Sequence, residues 1–150
     1  MRKVFLFIAL AVTLAAGCKK DETTEQADTD DKIINDYLTA HNLTATKDDS
    51  GVYYIITKEG SGGHPNLTHT VVVDYKGYLT DGTVFDESAN ALELQLAQLI
   101  NGFQIGINKM QPGGKGTIFI PSQLGYGNKQ VGVIPPNSVL IFDVELVEFY

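Results

Sequence analysis

Residues 71–86 read VVVDYKGYLTDGTVFD. Val71, Val73, Tyr75 and Gly77 recur at every second position, so the stretch from Thr70 to Leu79 predicts an extended strand with these four on one face. Asp81-Gly82 then supplies two residues that tolerate the positive φ of a tight hairpin turn. Thr83 to Phe85 is expected to return antiparallel to the first strand. A hairpin, and not a helix, therefore sets the fold class.

More strands are expected on both sides of the hairpin. Val52 to Thr57 is rich in β-formers and is followed by the turn Glu59-Gly60-Ser61-Gly62-Gly63. Leu92, Leu94 and Leu96 alternate with Glu93 and Gln95, as in a half-buried strand. Gly102 to Met110 predicts the only helix of this region, ended by Pro112-Gly113-Gly114. Lys115 to Ile120 is a strand closed by Pro121. After a long loop from Ser122 to Asn137, residues Ser138 to Tyr150 form a last strand. Several antiparallel strands with one short helix inserted late describe an α+β domain over residues 51–150, its sheet a half-barrel wrapped around that helix.

The chain before this domain falls into three parts. In residues 32–50, Lys32 to Asn42 predicts a short helix capped by Asp30 or Asp31, with Ile33, Ile34, Tyr37, Leu38 and His41 on one face. So short a helix must dock on the domain or on a second copy to persist. Thr44 to Gly51 reads as loop. Residues 18–31 include KKDETTEQADTDD, in which no apolar residue is larger than Ala27, and predict a solvated acidic tether. Residues 1–17 carry Arg2 and Lys3, then an apolar run from Val4 to Leu14 broken only by Thr13. That run is shorter than the roughly 20 apolar residues of a membrane span, so a cleaved export signal is expected. Ala15, Ala16 and Gly17 lead into Cys18 in a pattern that resembles a bacterial lipobox, although Ala15 stands where Leu is favoured. The resemblance implies lipid attachment at Cys18 and a place in the cell envelope, at the outer membrane on its periplasmic or surface face. Cys18 is the only cysteine, which excludes an intramolecular disulfide and a thiolate metal cluster.

Of the 150 residues, 43% are hydrophobic and 19% charged, which suits one soluble domain. The net charge of −7 argues against a nucleic-acid partner, because phosphate contacts need clustered Lys and Arg.

Three separated blocks carry a family resemblance. Residues 71–86 are similar to the opening hairpin of the FKBP-type peptidyl-prolyl isomerases, V-x-Y-x-G-x-L-x-D-G-x-x-F-D. Residues 98–110, QLINGFQIGINKM, resemble the family's Q-V-I-x-G-W helix start. Residues 125–146, GYGNKQVGVIPPNSVLIFDVEL, resemble its Y-G-x-x-I-P-P-x-x-x-L-x-F-D-V-E-L close. The resemblance spans residues 50–150 and implies the FKBP-like fold and isomerisation of X–Pro bonds without a cofactor.

The same resemblance implies a proline pocket formed by Tyr75, Phe85, Asp86, Leu99, Ile100, Phe103, Tyr126, Ile134 and Phe142, with Leu92 and Val133 at its rim. Tyr75, Phe85, Asp86, Ile100, Tyr126 and Phe142 would be catalytic, and Leu92, Leu99, Phe103, Val133 and Ile134 would bind substrate. The implied hydrogen-bond donors are the Ile100 backbone N–H and the Tyr126 hydroxyl. Asp86 has no proton to transfer in a reaction that breaks no covalent bond, so it is expected to orient Tyr75 or the substrate. His41, His64 and His69 lie among loops and strand starts, and no metal site is expected of them.

Three positions depart from the family. Phe103 stands where Trp is usual, in a chain without Trp. No Arg follows Asp86 within Glu87 to Ala91, and the loop Asn128 to Gly132 is shorter than its commonest form. Two functions therefore stand side by side. One is an isomerase acting on proline-containing peptides and unfolded exported proteins. The other is a non-catalytic peptide-binding chaperone or envelope-assembly module that retains the pocket. A monomer is expected in either case.

Overall fold

Strand β3 (Thr70–Leu79) is the spine of the fold. A computed structural model describes residues 22–150, so Cys18 and the expected export signal lie outside the described residues. The other strands are β1 (Thr46–Lys47), β2 (Tyr53–Lys58), β4 (Val84–Glu87), β5 (Leu92–Gln95), β6 (Gly114–Ile120) and β7 (Leu140–Phe149). All pairings are antiparallel, in the order β1-β2-β6-β7-β3-β4, with β5 also paired to β3. Helices α1 (Glu22–Ala40) and α2 (Asn101–Asn108) complete the α+β arrangement expected from the sequence.

Strand alternation divides the interior into two cores. Ile118 and Ile120 on β6, and Leu140 and Phe142 on β7, join Val71, Val73, Phe103 and Ile107 in the core beneath α2. Their sequence neighbours Phe119 and Ile141 point to the opposite face. There they join Tyr53 and Val139 under Ile34 and Leu38 of α1. Helix α2 lies tightly on the sheet because its contact stripe is glycine. A Cβ on Gly102 would fall 2.2 Å from Ile120 Cγ2, and one on Gly106 would fall 2.5 Å from Ile118 Cδ1.

The acidic tether expected over 18–31 needs correction. From Glu22 onward it is the first half of α1, which starts ten residues before the predicted helix at Lys32. Composition suggested that these polar residues stay in water, but tertiary hydrogen bonds hold them against the domain. Asp30 is fully buried, and Gln123 Nε2 donates to the Thr23 carbonyl at 2.6 Å. Asp30 and Asp31 consequently sit inside the helix and do not cap it. Asp31 accepts instead from Lys47 Nζ at 2.5 Å and from the Tyr53 hydroxyl at 2.6 Å. These two donors hold its carboxyl below the usual range. His41 is exposed and stacks on Tyr37 at 3.9 Å.

Smaller differences lie at element ends. The loop expected from Thr44 to Gly51 contains the short edge strand β1. Strand β5 stops at Gln95, and Leu96 opens a 3-10 turn, Leu96–Gln98, that leads into α2. Among the described residues no helix is long and apolar enough to cross a membrane.

Candidate functional site

The register of β3 against its neighbours gathers one group of aromatic side chains. Gly77 pairs with Asp86 on one side and Phe142 on the other. A Cβ at Gly77 would lie 2.5 Å from the Phe85 ring and 2.8 Å from the Phe142 ring, so only glycine leaves them room. Phe85 and Phe142 meet edge to face at 5.4 Å between ring centres, and Phe103 of α2 meets Phe142 in the same way at 5.0 Å. Tyr75 closes the group, 6.1 Å from Phe103 and 6.2 Å from Phe142. Edge-to-face contacts of this kind suit the ring quadrupoles.

These rings wall a cavity of 280 Å³. Asp86, Leu99, Ile100 and Tyr126 complete its wall together with two residues the sequence did not single out, Leu94 and Gln98. Phe103 is 4% exposed and forms the floor. Thus Tyr75, Phe85, Asp86, Leu99, Ile100, Phe103, Tyr126 and Phe142 come together. Leu92, Val133 and Ile134 do not join the wall. Ile134 is 4% exposed and turned into the core, whereas Val133 is 61% exposed on its loop. Leu92 is exposed one strand-repeat away from Leu94, which takes the wall position instead.

The polar groups of the cavity are few and specifically held. The Tyr75 hydroxyl donates to Asp86 Oδ2 at 2.8 Å. Burial, reinforced by the Asp86 carboxylate, pushes the Tyr75 hydroxyl up to about 12, so it is a neutral donor at any physiological pH. Asp86 therefore takes Tyr75 as the partner that no nearby Arg provides. Ser88 braces this arrangement. Its N–H donates to the Tyr75 carbonyl and its hydroxyl oxygen accepts from the Tyr75 N–H, both at 2.9 Å. Nothing in the sequence marked Ser88, because its role depends on a pairing across the hairpin.

Two donors remain at the edge of the cavity. Ile100 precedes α2, and its carbonyl accepts from Phe103 N–H at 3.0 Å and Gln104 N–H at 3.1 Å. Gln104 Nε2 also clamps the Leu99 carbonyl at 2.7 Å, which fixes the backbone leading into Ile100. Neither the Ile100 N–H nor the Tyr126 hydroxyl bonds to another protein group among the described residues. A ligand carbonyl in the cavity could accept from either.

A larger groove of 470 Å³ crosses the other face of the sheet, between Asp74, Lys76, Lys115, Asp143 and Glu145. It is lined by charges of both signs, including the Lys115–Glu145 pair at 2.8 Å, and gathers no cluster of aromatic rings like that of the smaller cavity. No group of three or more His, Cys, Asp or Glu among the described residues could hold a metal ion.

Comparison with known proteins gives the same reading over most of the chain. The family model for FKBP-type peptidyl-prolyl cis-trans isomerases matches residues 62–147. The FKBP-type isomerase FkpA of Aeromonas hydrophila is 45% identical over 102 residues, which are 66% of this chain and 38% of that protein. A probable FKBP-type isomerase of Haemophilus influenzae is 35% identical over 99% of this chain and 63% of its own length. Among solved structures, FkpA from Escherichia coli superposes with a TM-score of 0.73 at 35% identity, covering 85% of this chain and 62% of that one. An isomerase from Pseudomonas syringae gives 0.71 at 25% identity, over 87% and 97% of the two chains. The chain thus spans well under two thirds of the Aeromonas relative.

Proposed function

This chain belongs to the FKBP-type peptidyl-prolyl cis-trans isomerase family, and on that premise we propose that it isomerises X–Pro bonds in the aromatic cavity. The observation that carries the proposal is the cavity itself, an aromatic wall with two donors at its edge that bond to no other protein group among the described residues.

The chemistry follows from the amide. Resonance holds the peptide bond planar, with a barrier of about 18–20 kcal/mol to rotation. Twisting the bond breaks that resonance and leaves less charge separation than in the planar form. An apolar wall therefore disfavours the planar amide relative to the twisted one, and no nucleophile is needed. An acceleration of five orders asks for about 7 kcal/mol of differential stabilisation, more than desolvation alone is expected to give. Phe103, Phe142 and Phe85 would grip the proline ring, while Leu99 and Leu94 close the side of the site. The Ile100 N–H and the Tyr126 hydroxyl would hold the carbonyls flanking the rotating bond. Asp86 orients the Tyr75 hydroxyl and takes no proton.

The substrates proposed are proline-containing segments of unfolded exported proteins, for which slow prolyl isomerisation delays folding by about 10–100 s. Export, lipid attachment at Cys18, an envelope location and a monomeric state complete the proposal. The discriminating experiment compares catalysis of a short Phe-Pro peptide with catalysis of a prolyl-limited refolding reaction. An isomerase accelerates both. Help to refolding with no effect on the peptide would replace this reading with that of a binding module.

A further inference from the structure

Asp30 is the one acidic side chain that is fully buried among the described residues. Its Oδ2 accepts from the Ser122 backbone N–H at 2.7 Å and from the Ser122 hydroxyl at 2.6 Å. Its Oδ1 accepts from Gln26 Nε2 at 2.7 Å. Burying a carboxylate is costly unless such bonds replace its hydration. Docking of α1 alone does not require one, since Ile34 and Leu38 already give the helix a buried apolar face. What the carboxylate holds is the first residue of the 3-10 turn Ser122–Leu124, whose leading N–H would otherwise lack a partner.

Ser122 is fully buried too, and its carbonyl accepts from two N–H groups, Gly125 at 3.0 Å and Gly127 at 2.7 Å. Those two glycines flank Tyr126. Gly127 sits at φ +62°, and a Cβ on Gly125 would lie 2.9 Å from Leu140 Cδ1. A backbone with glycine on both sides of a tyrosine has wide intrinsic freedom. Tyr126 is therefore held by its packing on the core and by the bonds of its backbone neighbours: Asn137 N–H donates to the Gly127 carbonyl at 2.8 Å, Lys129 N–H to the Tyr126 carbonyl at 3.3 Å, and both flanking N–H groups hold Ser122. A continuous path runs from Asp30 through Ser122 and the two glycines to Tyr126 in the cavity wall.

We propose that α1 is part of the pocket's machinery, with Asp30 a positioning residue that acts through Ser122 to set where Tyr126 presents its hydroxyl. The catalytic consequence rests on the isomerase reading above; the positioning itself does not.

The test is a double-mutant cycle on the purified protein, with kcat/KM read on a Phe-Pro peptide for Asp30→Ala, Tyr126→Phe and the two combined. Amide hydrogen exchange is followed at Gly125 and Gly127. Asp30→Ala is expected to lower kcat/KM about tenfold in the parent but less than about twofold when Tyr126→Phe is present. Exchange at the Gly125 and Gly127 amides should speed about tenfold while amides of β3 and β7 keep their rates. Asp30→Asn, whose Oδ1 can still accept from Ser122, should restore most of the activity. If Asp30→Ala does not fold, Ser122→Ala takes its place in the cycle, with a smaller loss expected. Equal losses in both backgrounds, or unchanged exchange at the two glycines, would overturn the proposal. An inactive parent would sink the isomerase reading alone, and the exchange rates would then decide the positioning claim.

Discussion

Tyr75 ties the cavity's chemistry to the protein's stability. Its hydroxyl is pushed up to about 12 by burial and by Asp86, from an ordinary value of 10.0. The native state therefore favours the neutral phenol. The stability this contributes is complete below pH 10.0 and is lost as pH rises toward about 12. Tyr53 and Tyr78 are also raised, so the parent's total alkaline slope is shared. The contribution of Tyr75 is the difference between the parent and Tyr75→Phe. Denaturant titration at several pH values between 9 and 12 should show a shallower loss in the variant; identical slopes would mean that the hydroxyl is not held as described. Near neutral pH the same substitution should cost about 1 kcal/mol, the usual net worth of a hydrogen bond. Legibility at this scale followed local spacing. Motif positions placed eight residues in the cavity wall, including every aromatic one. The resemblance implies Leu92 at the rim, but the strand brings Leu94 to the wall, because a motif position does not say how far along the strand the cavity reaches. Ile134 points into the core because the loop carrying it closes on itself, with Val131 bridged to Ile134.

At the scale of elements, the position of α2 decides the depth of the cavity. Gly102 and Gly106 let the helix approach β6 until no room remains for a methyl group. Gly102→Ala must push the helix or Ile120 aside, and overpacking of this kind costs about 1–3 kcal/mol. Phe103 is the next residue, so displacement should also tilt the cavity floor and weaken peptide binding. Thermal melts together with a peptide titration check both effects. A variant as stable as the parent would contradict the tight helix–sheet contact. Hairpin β3–β4 was legible from its alternation and its Asp-Gly turn, and β7 from its apolar run. Helix α1 was legible only from Lys32 onward, where apolar residues recur at helical spacing. Its first half is polar, and what holds it are bonds to residues far along the chain, such as Asp30 with Ser122 and Thr23 with Gln123, 92 and 100 residues apart. Local composition cannot report such a partner.

Across the whole molecule, one sheet serves two cores. The face under α2 carries the cavity, and the opposite face carries α1. Because β6 and β7 contribute alternate residues to both cores, the helix ahead of the domain is coupled to the strands that position Phe142. Sequence reading separated a tether, a helix and a domain. The structure joins the described parts of all three through buried contacts. This joined unit is proposed to be a catalyst. The most direct test is a protease-coupled isomerisation assay on a Phe-Pro peptide, run for the parent and for Tyr126→Phe. The parent is expected to accelerate isomerisation, and the variant, still folded, to lose about tenfold in kcat/KM, the effect of one hydrogen bond made to the twisting amide. A folded parent no faster than the uncatalysed reaction would contradict the proposal.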